Sequence, residues 1–149
     1  MRRKDRQREE DFAWRVFDQA PYGVLSMRDG EGGYGVPVSP ARVGEKVYFH
    51  CAMEGKKLDC LCQWPEASMA LVTDVGPDYF AVTFRSAVLR GRVAVVTDED
   101  EKLEALRAIS QRYCPEQMDD FAKYAAQAGR AARVCRMDVA EITGKERMR

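Results

Sequence analysis

The residues best suited to chemistry lie in one block, YFHCAMEGKKLDCL, running from Tyr48 to Leu61. A strand-like apolar run hands its end to a helical pattern whose first turn holds Gly55, Lys56 and Lys57. Free backbone N–H groups and the helix dipole favour negative charge at such a junction. Gly55 permits close approach, and two ammonium groups supply countercharge. The chemistry suggested is the holding of an anion such as a phosphate; a solvated lysine pair at a helix start is the plain alternative. The block is not a P-loop, because position 50 is His, Phe49 stands where a first glycine would open the loop, and Lys57 is not followed by Ser or Thr. His50 is the only histidine of the chain. It stands between an apolar strand and the lysine loop, where an imidazole can serve as a proton donor beside a pocket or as a satisfied structural side chain.

A second patch, TFRSAVLRGR from Thr83 to Arg92, sets Arg85 and Ser86 in an otherwise apolar, β-branched strand. Arginine can grip an anion through two parallel hydrogen bonds and serine can add one donor. The plain alternative is an Arg85 on the barrel exterior, since alternation along a strand puts such residues outward. Gly30, Gly32 and Gly35 match the spacing of a dinucleotide-binding loop, but YGVPVS follows with Pro37 in an extended pattern. That fingerprint needs a helix there, so the match is set aside.

The elements that must position these groups follow from periodicity. Asp5 to Gln19 reads as a helix with one buried face, ended by Ala20 and Pro21. Tyr22 to Met27 and Tyr34 to Ser39 read as a hairpin around the turn Asp29 to Gly33. Lys46 to Ala52 is a strand and Lys56 to Gln63 a short helix stopped by Pro65. Ala67 to Thr73 is a buried strand, and Tyr79 to Val96 a long one with a bulge or bend at Arg90 and Gly91. Asp98 or Asp100 caps a helix to about Tyr113 with Leu103, Leu106, Ala108 and Ile109 inward, and a second helix spans Met118 to Ala128. Val134 to Ile142 is the last strand, and the tail GKERMR should be solvated or frayed. About six strands with flanking helices describe an α+β protein built on an antiparallel barrel, a single domain over 1–149.

Composition narrows the partners. A 149-residue chain can bury roughly 68–70% of its unfolded surface without metal or disulfide staples. Its 24 Lys and Arg balance 24 Asp and Glu, so nothing draws it as a whole toward nucleic acid or an anionic membrane. No run approaches a membrane span, and MRRKDRQREE lacks the apolar stretch of a signal peptide, so a cytoplasmic location is expected. The five cysteines, Cys51, Cys60, Cys62, Cys114 and Cys135, lack metal-site spacing and read as reduced thiols; no metal site is expected.

Taken in order, MRRKDR, YGVPVS, YFHCAMEGKKLDCL, WPEASMALVT, FRSAVLRGRV and MDVAEITGK resemble the pyridoxamine 5′-phosphate oxidase-like flavin-binding proteins, in particular the nitroimidazole-resistance branch. The resemblance runs from Met1 to about Arg147, with His50 to Leu61 its most specific part. It implies a split β-barrel that dimerises, with FMN in grooves between subunits. By the same resemblance Lys56, Lys57, Arg85 and Ser86 sit around the phosphate, with Gly55 beside them. Val36, Pro37 and Val38 run beside the flavin ring, and His50, Cys51 and Ala52 complete the cofactor contacts. Cys51 stands where relatives often carry Ser, Thr or Gly, and FRS replaces the commoner YRS. The implied activity is an NAD(P)H-linked reductase of small acceptors such as nitroaromatics, with His50 as the catalytic residue. A non-catalytic flavin- or haem-binding module is the alternative. Oxidation of pyridoxamine 5′-phosphate itself ranks lower, since few basic residues remain to hold a second phosphate.

Overall fold

The computed structural model describes residues 3–148. Met1 and Arg2 of the opening MRRKDR, and Arg149 of the tail, lie outside the described residues. A 3-10 turn at Lys4–Arg6 leads to β1 (Gln7–Arg8) and α1 (Glu10–Gln19), then to the hairpin β2 (Gly23–Asp29) and β3 (Gly32–Val38). The short β4 (Ala41–Val43), β5 (Lys46–Ala52) and α2 (Lys56–Gln63) follow, and then the long pair β6 (Glu66–Asp78) and β7 (Ala81–Val95). The chain closes with α3 (Glu99–Tyr113), a 3-10 turn at Pro115–Asp120, α4 (Phe121–Ala131) and β8 (Ala132–Arg147). No helix among the described residues is long and apolar enough to cross a membrane.

Every strand pairing is antiparallel. The sheet runs β3-β2-β6-β7-β8-β5-β4, with β1 added on β8. Its two edges, β3 and β4, are joined only by Ser39 and Pro40 and do not pair with each other. The sheet therefore curls into a barrel left open along one seam, the expected split barrel of the α+β class. It has eight strands where about six were expected, because β1 and β4 are too short to show periodicity.

The hairpin, β5 and α2 lie where the pattern predicts them. The bulge also falls at Arg90 and Gly91, but its extra residue belongs to the partner strand. Arg90 faces Glu141 and Gly91 faces Val139, leaving Ala140 unopposed on β8. Gly91 is required there, because a Cβ would lie 2.2 Å from the Asp138 carbonyl oxygen. The first helix starts at Glu10 rather than Asp5 because Gln7 and Arg8 pair with β8 instead. Asp98, not Asp100, caps α3, its carboxylate accepting from Glu101 N at 2.7 Å. The inward face of α3 is Ala105, Leu106 and Ile109, whereas Leu103, expected inside, is 44% exposed. Met118 belongs to the 3-10 turn, so α4 begins at Phe121. The described part of the tail is ordered: Gly144 and Lys145 pair with β1, and β8 runs on to Arg147 against β7.

Two cores meet at β5. Val47 and Phe49 join Trp14, Phe17, Leu25 and Met69 inside the barrel, while Tyr48 packs with Leu106, Ile109 and Phe121 under α3 and α4. The strand is buried on both faces in its middle, so it reads as a continuous apolar run rather than an alternating one. Burying a side chain such as Phe49 contributes roughly 1.5–3 kcal/mol, more than an exposed ion pair, so these cores fix where the end of β5 lies.

Candidate functional site

The end of β5 is an open edge. Ala41 pairs with Tyr48 and β4 goes no further, so His50, Cys51 and Ala52 have β8 on one side and the seam on the other. Across the seam runs β3, where Tyr34, Val36 and Val38 turn toward the core and Pro37 is exposed. Val36, Pro37 and Val38 pair with β2 alone, which leaves their outer edge facing the seam.

At one end of this seam lies a pocket of about 160 Å³ lined by Tyr34, Cys51, Ala52, Glu54, Gly55, Lys56, Lys57 and Leu58. Gly55 adopts φ 144°, a conformation that excludes other residues, and no side chain caps the helix behind it. The two lysines have separate duties. Lys56 Nζ lies 2.7 Å from Asp29 Oδ2 and 4.7 Å above the Tyr34 ring, tying α2 to the β2–β3 turn. Lys57 is half-buried and makes no ion pair with any described residue. An unpaired ammonium beside an uncapped helix N-terminus is a donor set that suits a phosphate. The pocket has room for that group but not for a whole nucleotide, whose remainder would extend along the seam.

His50 faces the other way. Neighbouring strand residues point to opposite faces, so Cys51 turns to the barrel core and His50 to the helices. There it lines a mostly apolar pocket of about 460 Å³ with Ser39, Tyr113, Met118, Phe121 and Tyr124. The side chain is exposed to solvent, yet desolvation by the pocket walls, and then the charge of Lys57, lower its imidazole from the ordinary 6.5, so it is mainly neutral at pH 7. The floor of this pocket is clamped. Arg112 donates to the carbonyls of Pro40 and Ala20, both at 2.8 Å, and Tyr113 donates to Pro40 O at 2.9 Å. These bonds pin the Ser39–Pro40 link against α1 and α3.

Arg85 and Ser86 are elsewhere. Arg85 Nε donates to Glu146 at 2.9 Å and its NH1 reaches Asp74 at 3.4 Å; Arg8 meets the same Glu146 at 2.8 Å. Ser86 Oγ faces Lys145 O at 3.5 Å. Cys51 pairs with Arg133 and Arg85 with Glu146, positions 133 and 146 of β8, which is roughly 40 Å of strand. Within one chain the structure brings Lys56 and Lys57 together, and Arg85 and Ser86 together, but not the two pairs. A further pocket of about 520 Å³ on the far side of α2, lined by Met53, Leu58, Arg92 and Arg133, holds none of the candidate residues.

Sequence reasoning missed Tyr34, Ser39, Tyr113 and Tyr124. Only the pairing of a hairpin with a distant helix start, and of a strand end with α3 and α4, makes them part of a site. Aromatic residues at helical spacing carry no such signal by themselves.

The family model for pyridoxamine 5′-phosphate oxidase matches residues 9–146. The chain belongs to this family. No curated protein gives a significant match. Among solved structures, the fold is shared with a candidate 5-nitroimidazole antibiotic resistance protein from Bacteroides thetaiotaomicron at 24% identity, with a TM-score of 0.82 over 93% of this chain and 84% of that one. The flavocytochrome Anf3 from Azotobacter vinelandii is 22% identical, with a TM-score of 0.83 over 100% and 72% of the two chains. An FAD and heme binding protein from Mycobacterium smegmatis is 19% identical, with a TM-score of 0.79 over 95% and 73%. At these identities the likeness establishes the split-barrel fold alone.

Proposed function

We propose that this member of the pyridoxamine 5′-phosphate oxidase family binds FMN along the seam and works as an NAD(P)H-linked reductase of small acceptors such as nitroaromatics. The observation that carries the reading is the unpaired Lys57 beside the uncapped start of α2, in a pocket continuous with the open edges of β3 and β5. Lys57 and the first-turn N–H groups hold the phosphate, and Lys56 steadies the turn that frames it. Val36, Pro37 and Val38 offer a strand edge to the ring, with Cys51 and Ala52 opposite. Bound flavin supplies hydride acceptance and return. The chain's own part is to orient it at the seam, while on the opposite face of β5 the pocket under α3 and α4 would receive the acceptor, with His50 Nδ1 or Nε2 there to donate a proton.

The active form in this reading is a homodimer with FMN at the interface. Arg85 and Ser86 lie too far from Lys57 to share one phosphate within a chain, so both sets can serve one cofactor only if each subunit supplies one of them. The neighbours that bind FAD and heme give weight to a second reading, a flavin- or haem-binding module without turnover. His50, neutral at pH 7 and lining an apolar pocket, is the group that could ligate haem iron.

The absorption spectrum of the purified protein, followed by anaerobic NAD(P)H titration, tests both. Flavin bands that bleach with NAD(P)H and return with a nitroaromatic support the reductase. A flavin that NAD(P)H leaves oxidised supports the module, and a Soret band supports haem. FAD in place of FMN would overturn the choice of cofactor.

A further inference from the structure

Aromatic and aliphatic side chains make up most of the wall of the pocket under α3 and α4. Tyr113, Met118, Phe121 and Tyr124 line it, and the rings of Phe121 and Tyr124 lie 6.2 Å apart, tilted by 51°. Such a wall suits a flat ring, and about 460 Å³ holds a substituted benzene with room to spare. Ser110 and Gln117 add uncharged hydrogen-bonding groups. Among the described residues that line the pocket, Asp120 alone carries a full charge at neutral pH, since His50 is mainly neutral there. The Asp120 carboxylate is unspent: it precedes α4 without capping it and forms no ion pair with any described residue. The neighbouring cations are directed elsewhere. Arg112 donates to the carbonyls of Phe17, Ala20 and Pro40, and the Arg107 guanidinium lies 4.5 Å from the centre of the Phe121 ring. Neither lines the pocket, and Lys57 lines the phosphate pocket on the other side of β5.

We propose that this pocket selects uncharged, flat aromatic acceptors and that Asp120 is the residue that turns away those bearing a carboxylate. The proposal rests on the reading of this pocket as the acceptor's site. A ligand carboxylate entering here gives up water, and the lining offers no cation to pair with it, so its charge is desolvated without return. Asp120 adds repulsion between like charges in a space partly sheltered from solvent. A carboxamide of the same shape meets neither penalty, and Ser110 and Gln117 can bond to it. The first turn of α4 has no side-chain cap, and by itself its dipole would favour an anion at this wall. One carboxylate therefore sets the sign of the field that an acceptor meets, and charge rather than shape decides which rings are admitted.

The test compares 4-nitrobenzamide with 4-nitrobenzoate, two rings of one shape that differ in charge. His50 is the only histidine of the chain, so full-length protein labelled with carbon-13 histidine gives one imidazole resonance, which reports occupancy of the pocket without any turnover. In titrations at about pH 8 the amide should bind at least about tenfold more tightly than the benzoate, and in Asp120→Asn the gap should shrink to about threefold or less. Should that variant fail to fold, wild-type protein carries a second measurement: the gap should narrow as salt rises from about 0.05 M to about 1 M, because repulsion between partly exposed charges is screened. Equal binding of the two ligands, a gap that survives Asp120→Asn or salt, or an imidazole signal that neither ligand moves would each overturn the proposal. NAD(P)H-driven reduction of the amide is measured separately. An amide that binds with the expected preference and is never reduced overturns the reductase and leaves the selectivity standing, whereas equal binding with turnover intact overturns the selectivity alone.

Discussion

Lys57 and His50 stand on the two sides of one strand end, and substitution should separate their roles. Lys57 pairs with no carboxylate among the described residues, so in the proposed complex its replacement removes a charged hydrogen bond to phosphate. Such a bond contributes about 1.5–3 kcal/mol, so Lys57→Ala should weaken FMN roughly ten- to a hundredfold while riboflavin changes little. Fluorescence titration with both ligands measures this, and an equal loss of both would mean that Lys57 supports the fold. His50→Ala should still purify with cofactor, because the imidazole faces the α3–α4 pocket and not the phosphate. Acceptor turnover should fall about a hundredfold or more if the imidazolium is the acid. Its value lies below 6.5, so the acid form grows only as pH falls through that range. Wild-type turnover should therefore rise toward acid pH, and this rise should vanish in the variant. A matching profile in both proteins would make His50 a bystander.

Among the elements, α3 is tied to the sheet by one carboxylate. Glu101 accepts from Tyr48 Oη at 2.9 Å and from Arg136 NH1 at 2.8 and 3.0 Å, joining α3 to β5 and β8. Burial and then this contact push the Tyr48 phenol up to about 12, so it remains a donor throughout the neutral range. Arg136, ahead of Tyr48, holds the Glu101 carboxyl below its ordinary 4.5. A depressed carboxylate stabilises fully above its unfolded-state value and loses that contribution as pH falls through its folded one. Glu101→Gln should cost about 1 kcal/mol above pH 5 by urea unfolding, and the gap from wild type should shrink below pH 4.5. A gap that stays constant to pH 3 would mean that charge plays no part. The β7–β8 bulge makes a steric counterpart. Gly91→Ala drives a methyl into the Asp138 carbonyl and should cost about 1–3 kcal/mol, whereas Gly33→Ala, with nothing within 4 Å, should stay within about 0.5 kcal/mol.

For the whole molecule, the β6–β7 arm is the feature that a lone subunit leaves unexplained. Its tip presents Tyr79 and Phe80, 90% and 97% exposed, with rings 4.8 Å apart and both backbones at positive φ. Val75 and Val82 are exposed behind them. Apolar side chains held out in this way fit a partner surface. The proposed homodimer should sediment at twice the subunit mass at micromolar concentration. A Tyr79→Ser, Phe80→Ser double variant should keep its circular dichroism yet dissociate about tenfold more readily. A wild-type protein that remains monomeric when saturated with FMN would remove the shared site.

Local patterns made much of this protein legible before any coordinates. The β2–β3 hairpin, β5, α2 and the Asp98 cap depend on alternation, turn residues and capping chemistry that act over a few positions; the anion site proposed at Gly55, Lys56 and Lys57 is argued from the same kind of local chemistry. The block from His50 to Leu61 likewise pointed to the family. The sequence could not show that Lys56 is spent on Asp29, that His50 and Cys51 serve different pockets, or that Arg85 lies at the far end of β8 from Lys57. Nor could it show that GKER is strand or that Leu103 is outside. Each depends on which distant strand or helix covers a given face. That choice is made by burying Phe49, Phe17, Leu106 and their neighbours from many parts of the chain at once, and no short window of residues contains it.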